Sequence, residues 1–221
     1  MRDIRSMIAI IKGDIMASRK LNNPELWLLP LKKQLSSWGQ TPYDWELAWG
    51  DSFQLEISNP EWALHRALSL KALIRQITEE SSKQQHSSID LRLSIGIGEK
   101  TYAGNRVSES NGPAYVRAGA QFDQIKKEHC TLGINSPWPA FDEDMNLYFR
   151  LAATFMDHWT TSSATLISMI LQHPDTTQRE LGAMLGIRQN SVSGRWKRAY
   201  ATETVDLEHH FRKRVLSLLD T

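Results

Sequence analysis

The sequence predicts an α+β protein in which an N-terminal domain of strands and helices precedes an all-helical C-terminal domain. Two observations carry this prediction. Before residue 135, Ile-rich or strictly alternating segments typical of strands alternate with segments of 3.6-residue period typical of helices. From Phe141 onward no segment alternates with period two, and the pattern is helical throughout. The expected order of the N-terminal elements is βαββαβ with additional loops.

The first predicted strand is the Ile-dense run 7–12. It ends at Gly13 and Asp14, as expected for a buried central strand that presents Asp14 at its carboxyl end. A helical pattern follows over residues 24–38. Pro30 lies inside this pattern, so the segment is predicted to form either one helix or two.

A β-hairpin is predicted next. Residues 45–49 and 53–57 have the composition of strands, and the second of them alternates strictly between apolar and polar residues. Gly50 and Asp51 between them are typical turn residues. The two strands should therefore pair around this turn.

The rest of the N-terminal domain is predicted to contain two more helices and two more strands. Residues 59–77 keep a 3.6-residue apolar period after Asn-Pro, which indicates a helix. Residues 89–97 alternate and predict a half-exposed strand. Gly-Pro opens a predicted helix over 112–127, and 131–134 is expected to form a short strand.

Two prolines within residues 136–139 predict a domain boundary, because they fit neither the interior of a helix nor a strand ladder. The expected domains are therefore 1–136 and 141–221. The helices predicted in the second domain cover residues 142–158, 162–172, 177–185, 190–200 and 205–219.

Composition limits the possible functions. The 221 residues include 26 Lys and Arg against 25 Asp and Glu, a formal charge of +1, so any signal for nucleic-acid binding must be local. The single cysteine, Cys130, has no partner in the chain for a disulfide. The apolar run 7–11 is too short for a signal peptide or a membrane span, so we expect a cytoplasmic protein with no membrane partner.

Residues 176–200 resemble a helix-turn-helix of bacterial transcription factors. Leu181 would face the core from the first helix, and Gly186 would supply the left-handed residue of the tight turn. Val192 and Trp196, four residues apart, would bury the inner face of the second helix. Many such motifs carry an alanine where this chain has Gly182, and this is a departure from the pattern.

The predicted recognition helix combines cations with small polar residues. Residues 176–200 hold five Lys or Arg against one acid, Glu180, although the whole chain is nearly neutral. The residues expected to contact DNA are Arg188, Gln189, Asn190, Ser191, Ser193, Arg195, Lys197 and Arg198. A homodimer is expected, because one recognition helix reads few base pairs. The alternative is a pair of packed helices with a solvated basic face and no DNA ligand.

Two aspartates define a second candidate site. In a βαββαβ sheet the first strand lies beside the hairpin, so Asp14 and Asp51 should converge at one edge of the sheet. Two neighbouring carboxylates repel each other unless a cation such as Mg²⁺ or Mn²⁺ lies between them. The alternative is ordinary turn chemistry, because Asp commonly follows Gly where a strand ends.

This arrangement resembles the ferredoxin-like palm domain of class III nucleotide cyclases. The resemblance implies that Asp14 and Asp51 hold metal ions, and it implies a nucleotide near the residues Ile15, Ser18, Gly50 and Arg117. The asparagine and arginine that cyclases use on the following helix are not at the expected offsets, where Val116 and Ala120 stand instead. This departure favours a nucleotide-binding domain over a complete cyclase.

Most of the chain is similar to the bacterial SatD family. The similarity rests on stretches such as Lys-Gly-Asp-Ile-Met-Ala-Ser, Gly-Asp-Ser-Phe-Gln-Leu and Ile-Gly-Ile-Gly-Glu-Lys-Thr-Tyr. The segments that carry it cover residues 9–18, 49–57, 91–102, 109–126, 136–147 and 177–199. It implies a cyclase-like domain fused to a DNA-binding tail.

The function predicted from the sequence is that of a DNA-binding transcriptional regulator whose cyclase-like domain senses a nucleotide or a related effector. Two alternatives remain open. One is a metal-dependent nucleotidyl cyclase or oligonucleotide synthetase that uses Asp14 and Asp51. The other is an interaction module whose palm domain only dimerises.

Overall fold

The computed structural model describes residues 7–48, 50–78, 87 and 89–220. Trp49, predicted to end the first hairpin strand, lies outside the described residues. Within the described part the chain is a mixed α+β protein built on one five-stranded sheet. The strands are β1 (Met7–Met16), β2 (Trp45–Ala48), β3 (Ser52–Ile57), β4 (Asp90–Glu99) and β5 (Leu132–Asn135).

The sheet has the strand order β2-β3-β1-β4-β5. The Ile-rich β1 is its central strand, as predicted, and it pairs antiparallel with both β3 and β4. The hairpin of β2 and β3 is also confirmed. At the other edge β5 runs parallel to β4. The observed order of elements is βαββαβαβ and not βαββαβ, because the predicted helix at 112–127 and the predicted last strand, β5, follow the βαββαβ unit.

Three helices accompany the sheet in the N-terminal part described by the structure. They are α1 (Glu25–Ser36), α2 (Ala63–Arg75) and α3 (Pro113–Lys127), and a short 3-10 turn at Pro60–Trp62 leads into α2. Helix α1 continues through Pro30 as one helix. Trp27, Leu31 and Leu35 bury the same face on both sides of the proline, so packing on the core outweighs the one lost backbone bond.

Helices cover both faces of the sheet. On β1, Ile11 belongs to the large core under α1 and α2, whereas Ile8 and Ile10 pack against Ala118 of α3 on the opposite face. Strand β4 is therefore buried on both faces along most of its length, and the prediction of a half-exposed strand was wrong. A Cβ atom on Gly96 would lie 2.3 Å from the backbone of α3, so this glycine permits the close approach.

Five helices follow the sheet in the described residues. They are α4 (Pro139–Met156), α5 (Thr161–Gln172), α6 (Gln178–Met184), α7 (Gln189–Ala199) and α8 (Ala201–Leu219). Helix α4 begins three residues earlier than predicted. Pro139 is at its first position, where the missing N–H group of proline removes no helical hydrogen bond.

The apolar core continues across the expected domain boundary. Phe141 and Met145 of α4 belong to the same buried cluster as Leu132 and Ile134 of β5. Helix α2 also contacts α5 and α8. The helical part thus packs directly on the sheet and on its covering helices. No helix within the described residues is both long and apolar enough to cross a membrane.

Candidate functional sites: a basic helix and the edge of the sheet

Helices α6 and α7 form a tight pair whose first helix starts with a capping box. The Thr177 hydroxyl oxygen accepts a hydrogen bond from the Glu180 backbone N–H at 3.3 Å, and the Glu180 carboxylate accepts one from the Thr177 N–H at 2.8 Å. The Thr177 hydroxyl also donates to the Glu180 carboxylate at 2.7 Å, and this bond together with the one from the Thr177 N–H lowers the pKa of Glu180. Between the helices Gly186 has a φ of 65°, which is the left-handed residue that the sequence predicted.

The inner face of this pair is buried as expected at Leu181 and Val192, but Trp196 does not bury it as predicted. Leu181 and Val192 are fully buried between the helices. Packing explains why glycine is at position 182, because a Cβ atom there would lie 2.9 Å from the Ile187 carbonyl oxygen. Trp196 is only half-buried, and its indole N–H donates to the Thr202 hydroxyl at 2.9 Å. Trp196 therefore joins α7 to α8 at the rim of the pair.

The outer face carries the residues that were predicted to contact DNA. Two of them, Ser193 and Arg195, are half-buried. The exposed ones are Arg188, Gln189, Asn190, Ser191, Lys197 and Arg198. No acidic residue occurs between residues 181 and 200. The structure thus collects all eight residues on one turn and one helix, with the amino-terminal turn of α7 open to solvent.

A chain of polar contacts holds the carboxyl end of α7. The Trp159 indole N–H donates to the buried Ala199 carbonyl oxygen at 2.9 Å. The Arg75 guanidinium of α2 donates to the Trp159 carbonyl oxygen at 2.9 Å, and it lies 3.8 Å from the Asp90 carboxylate at the start of β4. No sequence pattern indicated this role of Trp159, because nothing local pairs it with a residue 40 positions away.

The second candidate site lies where β1 meets the hairpin turn. Asp14 pairs in register with Ser52, and the Ile15 N–H donates to the Asp51 carbonyl oxygen at 3.0 Å. The two aspartates are therefore in neighbouring backbone segments, as expected from the predicted topology. Ile15 takes part through its backbone, since its side chain is buried in the core.

The two carboxylates have different partners. One oxygen of Asp14 lies 3.5 Å from both the Arg92 guanidinium and the Lys126 ammonium group. The Asp51 carboxylate instead accepts a hydrogen bond from the Ser18 hydroxyl at 2.8 Å. Two cations of the protein thus compensate the charge of Asp14, whereas Asp51 has a hydroxyl partner, and a metal ion shared by the two aspartates stays a prediction.

A cavity of about 420 Å³ opens beside the Asp51 turn. Gly50 in this turn has a φ of 83°, a conformation that favours glycine. The Trp27 indole nitrogen is buried at the cavity wall without a hydrogen-bond partner in the described residues. The cavity is lined by Ser18, Arg19, Leu21, Pro24, Trp27, Gly50 and Asp51. The structure thus brings Ser18, Gly50 and Asp51 together, with a donor that no sequence pattern indicated.

Arg117, which was predicted to lie near the nucleotide, is not close to Asp14. Its guanidinium donates to the Ile97 carbonyl oxygen at 3.0 Å. Ile97 pairs with Ala9, which precedes Asp14 by five residues on β1, a separation of roughly 16 Å along the strand. The structure therefore does not bring Arg117 to the aspartates. No group of three or more His, Cys, Asp or Glu side chains that could hold a metal ion occurs among the described residues, and the Mg²⁺ or Mn²⁺ ion stays a prediction.

Comparison with known proteins adds no identification. No known protein family matches the chain, and no characterised protein is recognisably similar to it.

Proposed function

We propose that this protein is a DNA-binding transcriptional regulator of the SatD type, in which α6 and α7 act as a helix-turn-helix. The observation that carries the proposal is the outer face of α7. It is exposed at its amino end, it is free of acidic residues over residues 181–200, and it carries four cations around small polar side chains. This combination suits a helix that enters the major groove.

The residues of the recognition helix divide into two roles. Asn190 and Ser191 in the first turn of α7 are short enough to meet base edges, and asparagine can bond bidentately to adenine. Arg188, Arg195, Lys197 and Arg198 lie around them and neutralise phosphates, and these contacts position the helix without reading sequence. A homodimer that presents two such helices to half-sites about 34–36 Å apart completes the proposal. Binding to chromosomal DNA implies a cytoplasmic location.

The sheet supports the cyclase-like part of the proposal. The antiparallel order β2-β3-β1-β4 is the order expected for a ferredoxin-like βαββαβ unit, to which β5 is added. The cavity at Ser18, Gly50 and Asp51 lies at the edge where the resemblance implies a nucleotide. We therefore assign effector sensing to this domain.

Mobility-shift titration against genomic fragments tests DNA binding. Wild type is expected to select a subset of fragments with salt-sensitive affinity, and Arg195→Ala and Lys197→Ala are expected to weaken that binding. Lys32→Ala, which removes an exposed cation from α1, is the matched control and should bind like wild type. Absence of salt-sensitive binding, or equal binding by all variants, contradicts the proposal.

The same preparation tests the enzyme alternative. Incubation with each nucleoside triphosphate and Mn²⁺ should release no pyrophosphate above the level of Asp14→Ala. The physical reason is that Arg92 and Lys126 already compensate the negative charge of Asp14, which would otherwise attract a metal ion. Turnover that depends on Asp14 would instead assign the domain to nucleotidyl transfer.

A further inference from the structure

Two cations contact Asp14 on the face of the sheet that α3 covers, and a third cation, Lys12, lies two residues before Asp14 on β1. Arg92 Nη1 and Lys126 Nζ each lie 3.5 Å from the same Asp14 oxygen, so the two cations are at most about 7 Å apart. Lys12 and Lys126 both lie against the Phe122 ring, at 5.4 and 4.3 Å from its centroid. This cationic cluster, defined as Lys12, Arg92 and Lys126, therefore carries three positive charges around the Phe122 ring and Asp14.

The hydrogen bonding of the cluster is incomplete. A tight bond between a charged nitrogen and a carboxylate measures about 2.7–2.9 Å, whereas both contacts to Asp14 are 3.5 Å. Arg92 Nε is buried without a partner in the described residues, and so is the second oxygen of Asp14. The cluster thus has N–H donors that are not used within the described residues and are available to a ligand with several acceptor oxygens.

We propose that Lys12, Arg92 and Lys126 bind a phosphate group of a small molecule, and that Asp14 holds these cations together when no ligand is bound. A phosphate offers several charged acceptor oxygens, which suit the fork of an arginine and two point charges. Only 17% of the Arg92 side chain is exposed, so the cluster is recessed between β4 and α3 and suits a small ligand better than a DNA duplex.

This site is separate from the DNA-binding face of α7 and does not depend on the proposed function for its chemistry. It also reverses the role of Asp14 implied by the cyclase resemblance. A metal-ligating Asp14 would aid nucleotide binding, whereas an Asp14 that competes with the ligand for the cations opposes it. The effect of removing its charge therefore has opposite signs in the two cases.

Titration calorimetry with inorganic pyrophosphate in EDTA tests the site on the full chain without DNA. Wild type is expected to bind, and Asp14→Asn is expected to bind several-fold more tightly, since the neutral amide no longer competes. Arg92→Gln should weaken binding about tenfold or more. Lys126→Gln alters a more exposed cation and is expected to weaken binding in a chain whose core is untouched.

Lys127→Gln is the matched control, because Lys127 is exposed next to Lys126 but projects about 100° away around α3. It should bind pyrophosphate like wild type. Circular dichroism melts establish that each variant is folded. The proposal is overturned by no binding at millimolar pyrophosphate, by weaker binding of Asp14→Asn, or by equal losses in Lys126→Gln and Lys127→Gln. A different outcome is that wild type does not bind pyrophosphate and that Lys126→Gln loses affinity for DNA. This outcome would overturn the proposal and assign the cluster to contacts with the DNA backbone.

Discussion

At the scale of single residues, two glycines have open space around them but differ in backbone conformation. Gly186 has a φ of 65° in the turn between α6 and α7, whereas Gly119 has ordinary helical geometry inside α3. An added Cβ atom would meet nothing within 4 Å at either position. We expect Gly186→Ala to lower the free energy of unfolding by about 1–2 kcal/mol and Gly119→Ala to raise it by about 0.5–1 kcal/mol. Urea denaturation measures both, and equal shifts would contradict the assigned turn.

We expect His65 to make the stability of the fold depend on pH. Its Nε2 lies 3.0 Å from the Leu171 carbonyl oxygen, and its Nδ1 is buried without a partner in the described residues. Burial lowers the pKa of His65 below its ordinary value of 6.5. Between the lowered pKa of the folded state and 6.5, the unfolded chain binds more protons than the folded chain. The contribution of neutral His65 to the free energy of unfolding is therefore fully present above about pH 6.5. It is lost as the pH falls toward the folded pKa.

Stability measured by urea denaturation between pH 7 and pH 5 tests this effect. His65→Gln keeps a donor for the Leu171 carbonyl group but removes the titration, so its stability should fall less steeply with decreasing pH. The exposed His158→Gln is the control and should follow wild type. An identical slope in His65→Gln and wild type would exclude His65 as the cause.

At the scale of elements, the position of α7 depends on the bond between Trp159 and Ala199. Trp159→Phe keeps most of the buried ring but leaves the Ala199 carbonyl group without its donor, which should cost about 1–3 kcal/mol. Trp196→Phe removes a bond to Thr202 at the exposed rim and should cost less than about 1 kcal/mol. Chemical denaturation distinguishes the two, and a larger loss in Trp196→Phe would contradict this anchoring role.

The elements that could be predicted from the sequence are those with a strong local signal. The central strand, the hairpin and α2 follow from apolar period and turn chemistry, and Gly186 marked the turn of the basic helix pair. The burial of β4 on both faces could not be predicted, because it depends on where α3 packs. The partners of Asp14 also depend on tertiary packing and were missed. Arg92 is 78 residues away in sequence, and Lys126 lies on α3.

At the scale of the whole molecule, a buried ion cluster joins the sheet to the helical part. Lys71 of α2 is 1% exposed, and its ammonium group lies 3.1 Å from Asp90 and 2.7 Å from Asp157. Lys71→Met removes the cation that Asp90 and Asp157 share and leaves Asp90 with the more distant Arg75, and because Asp157 is partly exposed we expect a loss of about 2–4 kcal/mol. Since the apolar core is continuous, near- and far-ultraviolet circular dichroism should show one coincident transition in wild type and variant. Two separate transitions would contradict a shared core.

DNA binding by the exposed face of α7 is the central claim, and the salt dependence of affinity tests it most directly. The logarithm of the binding constant should fall linearly with the logarithm of the salt concentration. Arg195→Ala and Lys197→Ala should each reduce the steepness of that line by about 0.9, and Lys32→Ala should leave it unchanged. A line that is flat in wild type, or equally steep in all four proteins, would contradict the claim.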